Sequence, residues 1–172
     1  FNVILANPPY SIKSWDQKSF INDPYGRNLW GVPPKGCADY AFQQHIQKAA
    51  LHQGNSTEVR LEALKSLAKM VTESTDNPLL MWNDVEGCRA VVLASTRYGE
   101  PENIREQALV ILVSLAVENK VDMWNDVNGC RAVLVAAAAD GQSVNVRSHA
   151  LVTLNRLASA DENQASMWNN NG

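Results

Sequence analysis

The chain has 172 residues, 45% of them hydrophobic and 19% charged. That supplies enough apolar material for one ordinary domain's core and excludes a disordered tail or a collagen-like repeat. Fifteen Lys and Arg against eighteen Asp and Glu leave a net charge of −3, which argues against a whole-chain nucleic-acid binder. No window approaches the ~18 consecutive apolar residues of a membrane span, and no charged-then-apolar leader opens the chain, so no membrane partner is expected. The charge is unevenly placed: residues 1–50 carry five basic and three acidic side chains, residues 51–172 ten and fifteen. This points to two segments of different character. Cys37, Cys88 and Cys130 make no disulfide framework and no CxxC knuckle, and His45, His52 and His149 lack ligand spacing. The expectation is therefore no metal and a reducing, intracellular, cytoplasmic setting. Both ends look cut, since the chain opens at Phe1 inside an apolar run and stops just after a repeated motif.

In chain order, Phe1-Asn2-Val3-Ile4-Leu5-Ala6 is short, apolar and partly β-branched, which predicts a buried strand of a parallel sheet. It runs into Asn7-Pro8-Pro9-Tyr10. Two prolines end the strand and stiffen the loop at its carboxyl end, where open α/β sheets place their ligands. Downstream stand Ser11-Ile12-Lys13, Asp23-Pro24-Tyr25-Gly26-Arg27, Gly31-Val32-Pro33-Pro34, Ala38-Asp39-Tyr40-Ala41-Phe42 and His45-Ile46.

A strand followed by Asn-Pro-Pro-Tyr resembles the catalytic motif of S-adenosylmethionine-dependent adenine-N6 DNA methyltransferases. The downstream text is similar to the modification subunit of type I restriction systems, over residues 1 to about 50. The resemblance implies a strand–loop–helix fragment of a Rossmann-like methyltransferase, with Asn7, Pro8, Pro9 and Tyr10 as its catalytic residues. The exocyclic amine of adenine is a poor nucleophile because its lone pair is delocalised into the ring. The side-chain oxygen of Asn7 and the main-chain oxygen of Pro8 would accept its hydrogens and favour pyramidalisation. Tyr10 would stack on the flipped base. These contacts strengthen as the amine gains positive charge, so they favour the transition state over the substrate. Lys13, Arg27 and Asp39 could touch phosphate or cofactor in an intact enzyme, although solvated loop charges are the simpler reading.

The cofactor site of that family lies on a glycine-rich turn and an acidic residue upstream of this motif. None of the nine glycines forms Gly-x-Gly. S-adenosylmethionine is thus implied by the resemblance only, and this chain alone is not expected to bind it. The spacing predicts one helix over 38–53, with Gly54-Asn55-Ser56 as a break. That helix could cap the first repeat beyond the break by packing Phe42, Ile46 and Leu51 against it.

Residues 55–172 repeat. Met81-Trp82-Asn83-Asp84-Val85-Glu86-Gly87-Cys88-Arg89-Ala90-Val91 returns 42 residues later as Met123-Trp124-Asn125-Asp126-Val127-Asn128-Gly129-Cys130-Arg131-Ala132-Val133. A third copy starts at Met167-Trp168-Asn169, 44 residues on. A second element keeps the same period: Val59-Arg60 with Ala63-Leu64, Ile104-Arg105 with Ala108-Leu109, and Val146-Arg147 with Ala150-Leu151. Each unit is predicted to hold two helices. The first should start near Asn83 or Asp84, or Asn125 or Asp126, and end around Tyr98-Gly99. Pro101 then opens a second helix with a buried stripe of Ile104, Ala108, Leu109, Leu112 and Leu115, or of Val146, Ala150, Leu151, Leu154 and Leu157. A helix pair cannot bury its stripe alone, so neighbours must stack.

The period and the Asn-Ile-Arg-x-x-Ala-Leu-x-x-Leu-x-x-Leu-Ala run of residues 103–116 resemble armadillo and HEAT repeats. The expected fold class is therefore mainly α: a helical solenoid over 55–172, preceded by the methyltransferase fragment of 1–50. The resemblance implies a protein partner on the solenoid surface. Armadillo proteins that clamp extended peptides use a Trp and Asn ladder. The aligned positions here are Lys65, Val110 and Val152, and Lys69, Ser114 and Arg156; the ladder is absent.

Trp82, Trp124 and Trp168 are read as packing wedges between units rather than as a partner-binding row. Cys88 and Cys130 should lie ~8–10 Å apart, as neighbouring helices do, too far for the ~4.4–6.8 Å of a disulfide's Cα atoms. They are read as small buried thiols. Arg60, Arg105 and Arg147 are read as solvated or structural arginines that could bond to carbonyls or carboxylates of the neighbouring repeat, rather than as ligand contacts. Functionally, one reading is a binding scaffold joined to a truncated methyltransferase segment that is not self-sufficient. The other is a fragment of an active adenine-N6 methyltransferase completed by missing sequence, which alone would bring DNA in as a partner. A join of two unrelated coding pieces is the bland third.

Overall fold

The computed structural model describes residues 15–24, 32, 54–73, 77–85 and 87–169. The predicted strand at 1–6, the Asn7–Tyr10 motif, Lys13, Arg27, Cys37, Asp39, His45 and His52, and the proposed cap of Phe42, Ile46 and Leu51, lie outside the described residues. Those that are described are mainly helical, and no strand occurs among them. Nor is any described helix long and apolar enough to cross a membrane.

The first helix, α1 (Gln17–Ile21), is a single short piece started by Asp16, whose carboxylate accepts from the backbone N–H of Ser19 at 3.1 Å. Trp15 and Phe20 meet edge to face beside it, ring centroids 5.4 Å apart. After the predicted break at Gly54-Asn55-Ser56 comes α2 (Thr57–Glu73), with the Ser56 hydroxyl accepting from the Val59 N–H. Next come α3 (Asn77–Asn83), α4 (Cys88–Ser95) and α5 (Glu102–Leu115). The second round is α6 (Lys120–Asn125), a π-helical turn at Val127–Arg131 leading into α7 (Ala132–Ala138), and α8 (Val144–Ala158). The last element is α9 (Asp161–Asn169).

Each full unit therefore holds three helices, not the two expected from sequence. The helix predicted to run from Asn83 or Asp84 to Gly99 is divided and shorter. Asn83 closes α3, the Asp84 carboxylate accepts from the N–H of Cys88 that opens α4, and α4 stops at Ser95. The cause is the capping carboxylate: by satisfying N–H groups at the start of α4 it fixes a non-helical step between the two helices. Gly99 and Gly141 do take positive φ (100° and 86°), but in the turns before α5 and α8 rather than as helix C-caps. Pro101 stands immediately before α5, its φ of −54° suited to that entry.

The long helices carry the core. α2 packs on α5 and α5 on α8, while each short helix packs against the long helix of its own or the preceding unit. Ile104, Ala108, Leu109, Leu112 and Leu115 are all fully buried, as the stripe predicted. In α8 the equivalent stripe departs from the pattern: Val146, Ala150 and Leu157 are buried, Leu154 half so, and Leu151 is exposed.

Units are also bolted together by buried asparagines that open the short helices. Asn119 Nδ2 donates to the carbonyl of Leu115 at 2.8 Å and of Pro78, one unit back, at 3.1 Å. Asn163 repeats this on Leu157 and Lys120, at 2.8 and 3.0 Å. Asn77 donates to the Met70 carbonyl at 2.6 Å. Each amide satisfies a carbonyl at a helix end, and those of Asn119 and Asn163 also fix the spacing of two units. Replacing Asn119 by Ala should lower unfolding free energy by about 1–3 kcal/mol, because buried carbonyls lose their donor. Urea denaturation beside the exposed control Asp122→Ala checks this, and equal midpoints for the two variants would contradict it.

Candidate functional site

The repeated Trp-Asn-Asp-Val-x-Gly-Cys-Arg stretch gathers polar and aromatic groups in both units. Its parts are set by local geometry. Asp84 accepts from the backbone N–H of Gly87 at 3.2 Å and of Cys88 at 2.7 Å. Asp126 accepts from the Cys130 N–H at 2.8 Å. A Cβ at Gly87 or Gly129 would collide with the capping carboxylate of Asp84 or Asp126. That close approach, and not backbone freedom, is why glycine stands there.

The cysteine after each glycine points inward. Cys88 and Cys130 are buried, in line with the sequence expectation. Burial, reinforced by the negative charge of Asp126, pushes the Cys130 thiol up to about 12. A thiol so held is not a nucleophile at neutral pH.

The arginine after that cysteine lies over the tryptophan of its own unit. The Arg89 guanidinium is 4.2 Å from the centroid of Trp82, and that of Arg131 is 4.0 Å from Trp124. Arg131 Nε also donates to the Trp124 carbonyl at 2.7 Å. Arg89 reaches into the next unit and pairs with Asp126 at 2.9 Å. Burial opposes the charge on Asp126. The Cys130 N–H and the Arg89 guanidinium outweigh it and hold the carboxyl below its ordinary 3.8. One carboxylate thus caps its own helix and ties it to the preceding unit.

Trp82 and Trp124 are buried, which fits packing wedges, and Trp124 Nε1 donates to Ser166 Oγ of α9, 42 residues on, at 2.6 Å. Trp168 differs: it is exposed. Sequence reasoning misses the stacked arginines, although the recurring Gly-Cys-Arg, its arginine seven residues after Trp, carries the signal. Of the three arginines it does single out, Arg60 and Arg105 reach the neighbouring unit as expected, while Arg147 bonds only within the turn leading into its own helix. Arg60 pairs with Glu100 at 2.8 Å. Arg105 donates to Gln142 Oε1 at 2.8 Å and to the Thr96 carbonyl at 3.2 Å. Arg147 pairs with the exposed Asp140 at 3.0 Å. Glu100 and Gln142 hold matching places 42 residues apart, so Arg60 and Arg105 make one contact twice.

At the positions of the missing ladder, Lys65 is exposed and bonded to Glu62 at 2.7 Å, and Arg156 donates to the Val113 carbonyl at 2.7 Å. No His, Cys, Asp or Glu cluster among the described residues could hold a metal ion. What the cluster does chemically is join helices; it presents no nucleophile or tuned acid–base pair. The predicted catalytic residues Asn7, Pro8, Pro9 and Tyr10 lie outside the described residues.

Residues 1–63 match the family model described as N-6 DNA Methylase. The match runs beyond the expected boundary at residue 50 and into α2. A curated relative, the "Type I restriction enzyme HindI methylase subunit" of Haemophilus influenzae, is 44% identical over 43 residues, 25% of this chain. The chain spans 9% of that relative's length. No solved structure matches the chain. The N-terminal segment is thus similar to adenine-N6 DNA methylases of restriction–modification systems.

Two measurements test the geometry. In a Cys37→Ser chain, Cys88 and Cys130 should resist a disulfide reagent at pH 8 and react once urea is added; rapid native labelling would contradict their burial. For Asp126, a carboxyl held below 3.8 stabilises the fold above that pH and loses its contribution as pH falls through the folded value. Asp126→Asn should therefore be less stable at pH 6 and show a shallower acid limb between pH 5 and 2. Parallel stability–pH curves for the two chains would rule this out.

Proposed function

We propose that this chain is a protein–protein interaction scaffold of armadillo-like helical repeats, joined to a segment of an adenine-N6 DNA methyltransferase that does not catalyse on its own. The observation that carries the reading is the duplication of contacts between units. The Arg-on-Trp stack, the carboxylate cap and the amide bolt each recur at the 42–44-residue spacing with the same partners. Contacts repeated in register make a quasi-linear stack whose units each touch mainly their neighbours. Three helices per unit favour armadillo over HEAT, which is built from pairs. Such stacks present long surfaces and no enclosed pocket, which suits a protein partner. The domains are then 1–50 for the methyltransferase segment and 55–172 for the repeats.

A second reading is favoured by the match of residues 1–63 to N-6 DNA methylases. In it the chain is a fragment of an S-adenosylmethionine-dependent enzyme of the restriction–modification type, with the cofactor half outside these 172 residues. S-adenosylmethionine would supply the methyl group. Asn7 and the Pro8 carbonyl would hold the adenine amine, and Tyr10 would stack on the base. DNA is a partner only in that reading.

The first reading is tested on the bench. The 172-residue chain should transfer no methyl group from labelled S-adenosylmethionine to adenine in DNA, and a chain lacking residues 1–50 should keep a cooperative helical melt. Turnover abolished by Asn7→Ala would overturn the claim that the segment does not catalyse on its own. Loss of cooperative melting on deletion would make the N-terminal segment part of the helical core.

A further inference from the structure

The two copies of the stretch that opens at Met81 and Met123 differ at one of their eleven positions, where Glu86 stands in the first and Asn128 in the second. That exchange sets an asparagine directly before Gly129, the one Asn-Gly step among the described residues. Such a step carries its own chemistry. With no Cβ on the following residue, a backbone nitrogen can approach the asparagine Cγ and close a cyclic imide. Asn128 is exposed, so water reaches it.

The fold holds this step tightly. It lies inside the π-helical turn Val127–Arg131. The Arg131 N–H donates to the Asp126 carbonyl at 3.0 Å, the Cys130 N–H to the Asp126 carboxylate at 2.8 Å, and the Ala132 N–H to the Gly129 carbonyl. The same carboxylate lies against Gly129 and receives its N–H. Two barriers to ring closure follow. A helical backbone at Asn128 keeps the Gly129 nitrogen away from Cγ. Closure also runs through the deprotonated nitrogen, and the Asp126 carboxylate beside it disfavours a second negative charge.

We propose that Asn128 is a site of spontaneous deamidation, kept shut by the Asp126 cap, whose isoaspartyl product unlocks the two units from each other. The Gly129 nitrogen gives its proton to hydroxide and attacks Asn128 Cγ. The C–N bond of the side-chain amide breaks, and ammonia leaves with a proton from water. Water then opens the imide. At the side-chain carbonyl it breaks the new bond and gives aspartate. At the main-chain carbonyl it breaks the original peptide bond, and the chain runs on through Cβ and Cγ as isoaspartate. Aspartate puts a carboxylate where the first unit carries Glu86, at a helix start that favours negative charge. Isoaspartate inserts one more backbone atom between Asp126 and Cys130. The turn and the cap then fall out of register, and Arg89 of the preceding unit loses the carboxylate it holds at 2.9 Å. The site depends on this junction alone and stands under either functional reading.

The full chain is incubated at pH 8.5 with and without denaturing urea, and conversion at residue 128 is read by peptide mass spectrometry. Conversion should be several-fold slower in the folded chain than in urea. Arg89→Ala should speed it several-fold without urea, and sub-denaturing urea should do the same in the unaltered chain. Asn128→Gln should stop it. The isolated isoaspartyl chain should melt below the unconverted protein, while Asn128→Asp should melt beside it. No conversion in urea would overturn the site itself, and equal rates with and without urea would overturn its closure by the fold. If neither Arg89→Ala nor sub-denaturing urea changes the rate, the Asp126 cap is not the gate. An isoaspartyl chain that melts with Asn128→Asp would overturn the unlocking.

Discussion

At the junction of the two helical units one carboxylate performs two tasks. Asp126 caps the start of its own helix through the Cys130 N–H and receives Arg89 from the unit before it. The local and the long-range requirement are met by the same two oxygens. This couples helix initiation to unit spacing, since Arg89 is itself held flat over Trp82. Remove the charge and the cap weakens, the arginine loses its anchor and the indole loses part of its cover. A partly exposed ion pair alone contributes little; it is the shared geometry that gives this one leverage.

The other bonds between units have the same double use. Asn119 and Asn163 each use one amide to quench two carbonyls from different units. Arg60 and Arg105 each leave a long helix to reach the loop of the next unit. In a stack, every interface must be specified by contacts of low sequence separation, because no distant part of the chain folds back to correct a slip. Directional polar bonds laid beside a leucine stripe supply that register, which apolar contact alone leaves loose.

Much of this is legible in the sequence because repetition turns a weak pattern into a strong one. The period, the buried stripe of α5, the cap at Asp84 and the inward cysteines all emerge from matching spacings. Reading two helices per unit fails for a physical reason: seven residues such as Asn77–Asn83 give less than two turns, too short to show a helical period of its own. The buried asparagines escape notice because Asn119 resembles a loop residue until the carbonyls it serves are brought beside it. Repeat position alone would bury Leu151 and Trp168, and both are exposed.

The match to N-6 DNA methylases ends at residue 63, inside α2, and so includes Arg60. The guanidinium of Arg60 is buried against Glu100, in the unit beyond. The end of the methylase-like stretch and the start of the stack are therefore one helix, with a buried ion pair at the overlap. A freely jointed fusion would put a solvated linker at that point. Here a change in the position of the first turns of α2 must either break a buried pair, which is strongly unfavourable, or carry the Glu100 loop with it. Through that loop it reaches α5 and the units stacked upon it. The residues of α2 that the match shares therefore belong to the packed core of the helical units.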